Sequence, residues 1–358
     1  MIDPHVHLRD WKQEHKETVL HGLNTAYRAG LDAVFEMPNT DLPLTSRDTL
    51  VNRRLLADEA IRRLKLNIFH GMYAGITADP TQIAAVVEAH DDFFPRVVGL
   101  KMFAGQSTGN MGVIEESQQQ LVYETLAGLG YKGVLVVHCE KESLMRSDLW
   151  NLEVPYSHAL ARPPEAEAES VKDQIRFAQK AGYKGTLHIA HISTPDAFYA
   201  LDMARYTSDF TITCEITPHH AMLNTDMMTR ERGHTLKMNP PLRPKHMQEH
   251  MLKLLLDGKI TYIATDHAPH TIKEKQSNKS PSGIPGLPYY PAFLQYLHSK
   301  GMSEEELNTY AHDNILKTFN IPKSTIPNTC RALEVSKKEL RALANEYDFN
   351  AFECLGYI

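Results

Sequence analysis

Short apolar runs rich in β-branched residues recur along the chain, each followed by a longer stretch whose apolar positions repeat at helical spacing. The runs predict strands at 2–7, 33–37, 66–73, 97–103, 133–138, 186–191, 211–216 and 260–265. The segments between them predict helices, clearest at 14–29, 46–64, 79–90, 115–129, 164–181, 194–206, 244–257 and 303–319. Ser46 before "RDTL" and Thr194 before Pro195 stand where helix caps belong. Eight strands alternating with helices imply parallel βαβ units, and eight such units can close a barrel. The expected fold is therefore α/β, a TIM-type (β/α)8 barrel over residues 1–320 with 321–358 as a C-terminal extension packed on it. An open doubly wound sheet with a dinucleotide site would need a glycine-rich turn after the first strand, and "HVHLRDW" has no glycine there. The polar, Gly/Pro-rich segment 271–288 reads as a site or surface loop, not a domain boundary.

Composition narrows the class without naming a function. A chain of 358 residues with 42% hydrophobic residues, 23% charged residues and a formal net charge of −6 suits an ordinary soluble enzyme. It holds no run of five basic residues, so neither nucleic acid nor an anionic membrane surface is an expected partner. The start reaches "IDPHVHLRD" at once, with no signal-peptide pattern or membrane span. Cys139, Cys214, Cys330 and Cys354 lie far apart without CxxC spacing, which fits thiols in a reducing, cytoplasmic setting.

Chemistry in such a barrel collects where strands end. Those ends carry, in order, His5 and His7, Lys101, His138, His191 and Asp266. His5 and His7 are two apart, so on a strand they share a face. An HxH pair alone says little, because two polar residues at a strand terminus are ordinary. Four further ligand types on four other strand ends make a metal site the better reading. In "TLHIAHIST" the odd offset between His188 and His191 sends them to opposite faces of a regular strand; His191 is the candidate ligand, and His188 is assigned to packing against helices. His219 and His220 in "TPHHAML" suit either a place near the site or a structural one.

Lys101 raises a separate question, since lysine is seldom buried without a partner. An ammonium among metal ions would only add repulsion. Burial beside cations favours the neutral amine, and a neutral amine can capture carbon dioxide as a carbamate. That anion has two oxygens and can bridge two ions.

With these residues in place, the sequence resembles the amidohydrolase superfamily and, within it, the dihydroorotase family. The resemblance runs from His5 to about Pro291 and rests on "HVHLRD", "EMPNT", "GLKMF", "VVHCE", "RPPEAEAESV", "HIAHIST", "TCEITPHH", "KMNPPLR", "ATDHAPH" and "GIPGLP". It implies a zinc-dependent barrel that interconverts dihydroorotate and carbamoyl-aspartate in pyrimidine biosynthesis. By this resemblance His5, His7 and Asp266 bind one zinc, His138 and His191 the other, and carbamylated Lys101 bridges them. A bridging hydroxide attacks the ring amide, with Asp266 as general base and then general acid. Dihydroorotate carries a carboxylate, which a guanidinium pairs bidentately, and Arg9 lies two residues beyond His7. The resemblance places Asn39 and His270 on the same carboxylate, Asn239 near the pyrimidine ring, and Thr108 in a loop (104–112) that closes on substrate, with Ser107 and Asn110 beside it. Its companion position holds Gly109 where a second threonine would be expected. The short lead before His5 is similar to the compact members that lack a β-sandwich. A homodimer and association with other pyrimidine-pathway enzymes are the expected partnerships. The alternatives are another cyclic amidase (hydantoinase, dihydropyrimidinase or allantoinase) and a non-catalytic scaffold subunit, which would be expected to have lost ligands.

Overall fold

A computed structural model of the chain describes residues 1–107 and 111–356. Eight strands, all parallel and ordered as in the sequence, form the sheet: β1 (Ile2–Val6), β2 (Ala33–Glu36), β3 (Phe69–Gly75), β4 (Val97–Ala104), β5 (Val134–Cys139), β6 (Thr186–Ile189), β7 (Thr211–Ile216) and β8 (Tyr262–Ile263). The barrel closes where His7 N donates to His267 O at 2.7 Å, beside the parallel bridge from Val6 to His267. Tyr290 Oη ties the same seam by donating to Ile2 O at 3.1 Å. β1, β2, β4 and β5 are buried at every position. That is why these strands read as continuous apolar runs: helices cover their outer face and side chains fill the inside.

Phe35, Tyr73, Val98, Val136 and Tyr262 pack inside the barrel, and Phe319 closes its floor, edge-on to Phe35 at 5.4 Å between ring centroids. Phe319 follows Glu304–Asn308, Thr309–Asp313 and Asn314–Thr318, where the single helix expected at 303–319 carries a π turn in its middle. The helix expected from residue 14 begins only at Val19. Asp10 accepts from both Trp11 N and Val19 N at 2.9 Å and folds the intervening residues into a tight turn, after which Thr18 caps the helix Val19–Arg28. Helices at Tyr290–Ser299 and Lys337–Ala344 complete the outer layer. No helix among the described residues is long and apolar enough to cross a membrane.

Residues 337–356 pack over the rim of the barrel mouth. Leu340, Leu343, Ala344, Ala351 and Phe352 are buried, and Phe352 lies 4.6 Å from Tyr289 between ring centroids. Tyr347 Oη donates to Glu17 at 2.7 Å, and Asp348 accepts from Ile272 N at 2.9 Å. The segment thus meets the loop that follows β8, and the same loop lines the cleft at the barrel mouth.

Candidate metal centre and cleft

The strand ends bring the expected residues together. Asp266 Oδ1 lies 2.9 Å from His7 Nε2 and 3.3 Å from His5 Nε2, and one ligand atom from each of the three lies within 4.8 Å of the others. His138 Nδ1 is 3.1 Å from His191 Nε2, and the His191 ring is 5.2 Å from that of His5, so the four imidazoles form one cluster. Lys101 is fully buried on β4 and its Nζ has no hydrogen-bond partner among the described residues.

His188 departs from expectation. It lies inside the barrel, stacked on Tyr262 at 4.6 Å and bonded to Thr213 Oγ1 at 2.8 Å and Glu215 Oε2 at 3.2 Å. The parity rule failed because β6 stops at Ile189 and His191 sits at φ +33°, so the backbone turns before His191 and both side chains face inward. Asp266 is likewise left-handed at φ +49°. Such backbone is uncommon outside glycine and costs of order 1 kcal/mol or more, and here both instances aim a polar group at one point.

Two of the outward nitrogens are held by carboxylates that sequence reasoning missed, and the third by Asn39. Glu215 on β7 holds His5 Nδ1, and Glu140 accepts from His138 Nε2 at 2.9 Å. Asn39 Oδ1 takes His7 Nδ1 at 2.8 Å. These bonds leave Nε2 of His5 and His7 and Nδ1 of His138 facing inward, the arrangement that orients imidazoles toward a metal. Glu140 is gripped by Arg162 Nε at 3.0 Å. Burial pushes Glu140 up, but the Arg162 guanidinium and His138 outweigh it and hold the carboxyl below its usual range. The signal was present: Glu215 interrupts the apolar run "TITCEI", and Glu140 stands two residues after a candidate ligand.

The set suits divalent ions. Burial draws His7 down to about 4 and lowers His138 and His191 as well, so these imidazoles keep lone pairs for ligation. Burial also brings Lys101 down to about 8, which makes the neutral amine accessible.

The cluster forms the floor of a solvent-open cleft whose lining also includes Arg9, Asn39, Phe103, Ser107, Asn239, Ser282 and Gly283. Arg9 is buried, donates from Nε to Pro269 O at 3.3 Å, and has Nη2 3.5 Å from His270 Nε2. Its backbone is fixed by Arg53, which is wholly buried, pairs with Glu36 and donates to Leu8 O at 2.9 Å and Arg9 O at 2.6 Å. Burial draws His270 down to about 3, so it stands neutral beside the guanidinium, with Nε2 donating to Ser282 O at 3.1 Å and Nδ1 accepting from Lys16 Nζ at 3.3 Å. Position 283 accepts only glycine: its φ is +132°, and a Cβ would come within 2.6 Å of Ala268 O. Thr108, Gly109 and Asn110 lie outside the described residues. His220 takes the structural role, bonding Thr217 Oγ1 at 2.9 Å and Pro240 O at 3.0 Å, and His219 is buried beside it without lining the cleft.

No family model matches the chain. Among curated proteins it is similar to the dihydroorotase of Halobacterium salinarum, 31% identical over 335 residues that cover 90% of this chain and 72% of that protein. It is 32% identical to the dihydroorotase of Thermococcus kodakarensis over 323 residues, 90% of this chain and 68% of that one. Among solved structures, the L-hydantoinase (dihydropyrimidinase) of Arthrobacter aurescens superposes with a TM-score of 0.78 at 23% identity, over 89% of this chain and 70% of that one. The dihydroorotase of Campylobacter jejuni gives 0.66 at 20% identity, over 90% and 83%. At such identities the two structures speak for the barrel alone.

Proposed function

Because the chain belongs to the dihydroorotase family, we propose that it hydrolyses the cyclic amide of (S)-dihydroorotate to N-carbamoyl-L-aspartate and catalyses the reverse ring closure in pyrimidine biosynthesis. The observation that carries this reading is the buried guanidinium of Arg9 in the wall of a cleft whose floor is a set of metal-ligand side chains. Burial lowers Arg9 to about 10, so it stays charged at neutral pH. A fixed cation beside a neutral imidazole suits a small ring that bears a carboxylate. A carboxylate-free ring would leave it without a counter-charge.

In this reading His5, His7 and Asp266 would hold one zinc ion, His138 and His191 would hold the second, and Lys101, carbamylated by carbon dioxide, would serve as an anionic ligand between the two sites. When bound, the ions supply Lewis acidity at the amide carbonyl and a water made nucleophilic at neutral pH. The chain's own groups do the rest. Arg9, with Asn39 and His270, seats the carboxylate and so sets the scissile amide over the floor. Asp266 takes the proton of the attacking water on a carboxylate oxygen and delivers it to the ring nitrogen as the C–N bond breaks. In ring closure the same carboxylate removes the proton from the ureido nitrogen. Asn239 meets the ring from the wall that it shares with Ser282.

The test is to assay purified protein on dihydroorotate, hydantoin and allantoin, with bound metals quantified in the same sample. Preferred turnover of dihydroorotate with about two metals per chain is expected. Preference for a ring without a carboxylate would move the protein to the hydantoinase-like class. A protein that binds no metal and turns over none of the three would be a scaffold.

A further inference from the structure

Asn239 lines the cleft with an amide whose two ends differ, an oxygen that accepts and a nitrogen that donates. Its orientation is decided by a residue outside the site set above. His158, on the short helix Ser157–Ala161, is 6% exposed, and its Nε2 lies 3.0 Å from both Met238 O and Asn239 Oδ1. A backbone carbonyl can only accept, so Nε2 carries a proton, and the Asn239 atom beside it has to be the oxygen. Ser282 Oγ donates to the same oxygen at 3.0 Å, and Lys237 Nζ donates to that hydroxyl at 3.4 Å, which turns the hydroxyl proton toward Asn239. Trp150 packs edge-on against the His158 ring at 5.5 Å. Burial, with Lys237 and Arg162 nearby, holds the imidazole well below its ordinary range and keeps it neutral.

We propose that His158 is a positioning residue for substrate recognition: with Ser282 it pins the Asn239 oxygen, so that the amide presents its N–H donors to the cleft and selects a ring with a carbonyl acceptor there. This rests on the cyclic-amide reading above. It adds to it the polarity of one wall and the residue that sets it.

The experiment is a double-mutant cycle in the full-length, metal-loaded protein, with His158→Ala, Asn239→Ala and the double variant assayed on dihydroorotate. Each single change is expected to raise KM about five- to tenfold with kcat altered less, the size of one lost neutral hydrogen bond. Metal content should match wild type, and the double variant should be no worse than Asn239→Ala alone. Additive penalties, or a loss carried by kcat or by metal content, would overturn the proposal. Should His158→Ala fail to fold, Ser282→Ala removes the other donor to the same oxygen and is read by the same cycle. A wild type inactive on dihydroorotate sinks the functional reading alone, because the cycle is then run on whichever cyclic amide the protein does hydrolyse.

Discussion

His138 and Asn239 line the same cleft, yet they are held by different chemistry. His138 leans on Glu140, a wholly buried carboxylate that is in turn paired with Arg162, and His5 leans on Glu215, a buried carboxylate whose other partners are His188 Nε2 and His191 N. Asn239 is held by one imidazole and one hydroxyl, and the neighbouring loop is pinned by Lys275, whose buried Nζ donates to Lys237 O at 2.8 Å, Pro281 O at 3.0 Å and Gly283 O at 2.9 Å. Breaking a buried charge pair leaves an uncompensated charge and costs roughly 3–5 kcal/mol, whereas a neutral hydrogen bond nets about 1 kcal/mol. The metal-facing wall is therefore intolerant of change. The loop-built wall can shift its selectivity while the metal set stays intact.

The largest expected effect lies on the metal-facing wall. Asp266→Asn should lower turnover on the order of 10²–10⁴-fold while part of the metal is retained, because a positioned proton carrier is lost and several ligands remain. Turnover and metal content measured on one sample test this; a loss of only a few-fold would reduce Asp266 to a ligand. Next comes Glu140→Gln, which touches no ligand atom directed inward but weakens the grip on His138. Metal affinity, read by competition with a chelator, should fall roughly 10–100-fold. If affinity is unchanged, the contrast between the two walls does not hold.

The loop-built wall should respond in selectivity instead. Arg9→Met is expected to leave both metals bound and to reduce the preference for dihydroorotate over a neutral dihydropyrimidine by at least about tenfold, since a lost charged hydrogen bond costs roughly 1.5–3 kcal/mol. Turnover of both rings in wild type and variant decides it, and a preference that does not move would place the carboxylate elsewhere.

The same contrast explains what could be read in advance. All eight strands overlap the segments marked by their apolar runs, with β3, β4 and β5 running one or two residues past them, and the six candidate ligand positions stood at or near their ends, because parallel strands buried on both faces leave few polar residues to explain. His188 was misassigned because strand parity cannot foresee the turn at His191. Arg53, which fixes the backbone of Arg9, looks like any arginine on a charged helix, and only tertiary packing shows it wholly buried. His158 could not be singled out either: its partner Asn239 is 81 residues away, and no local spacing joins them.

The smallest effect should come from the C-terminal segment. Glu17 is buried and accepts from Tyr347 Oη at 2.7 Å, His267 Nε2 at 3.1 Å and His21 Nδ1 at 3.3 Å. Two backbone N–H groups, from Gly286 at 2.9 Å and Leu287 at 3.2 Å, donate to His267 Nδ1, so Tyr347 is joined through Glu17 to the residue next to Asp266. Burial pushes Glu17 up, but the donors around it outweigh that and bring it from 4.5 to about 2. A carboxyl with a depressed folded pKa stabilises the fold above its unfolded value, and that contribution fades as pH falls through the folded one. Tyr347→Phe removes one donor to a charged acceptor and should cost about 1.5 kcal/mol near neutral pH. It raises the folded pKa of Glu17, so the penalty should shrink as pH is lowered from 4.5 toward about 2. Metal content and the ring preference should stay as in wild type. Urea midpoints at neutral pH and inside that acidic window measure it, and a penalty that stays constant or grows on acidification would mean that Tyr347 acts through packing and not through Glu17.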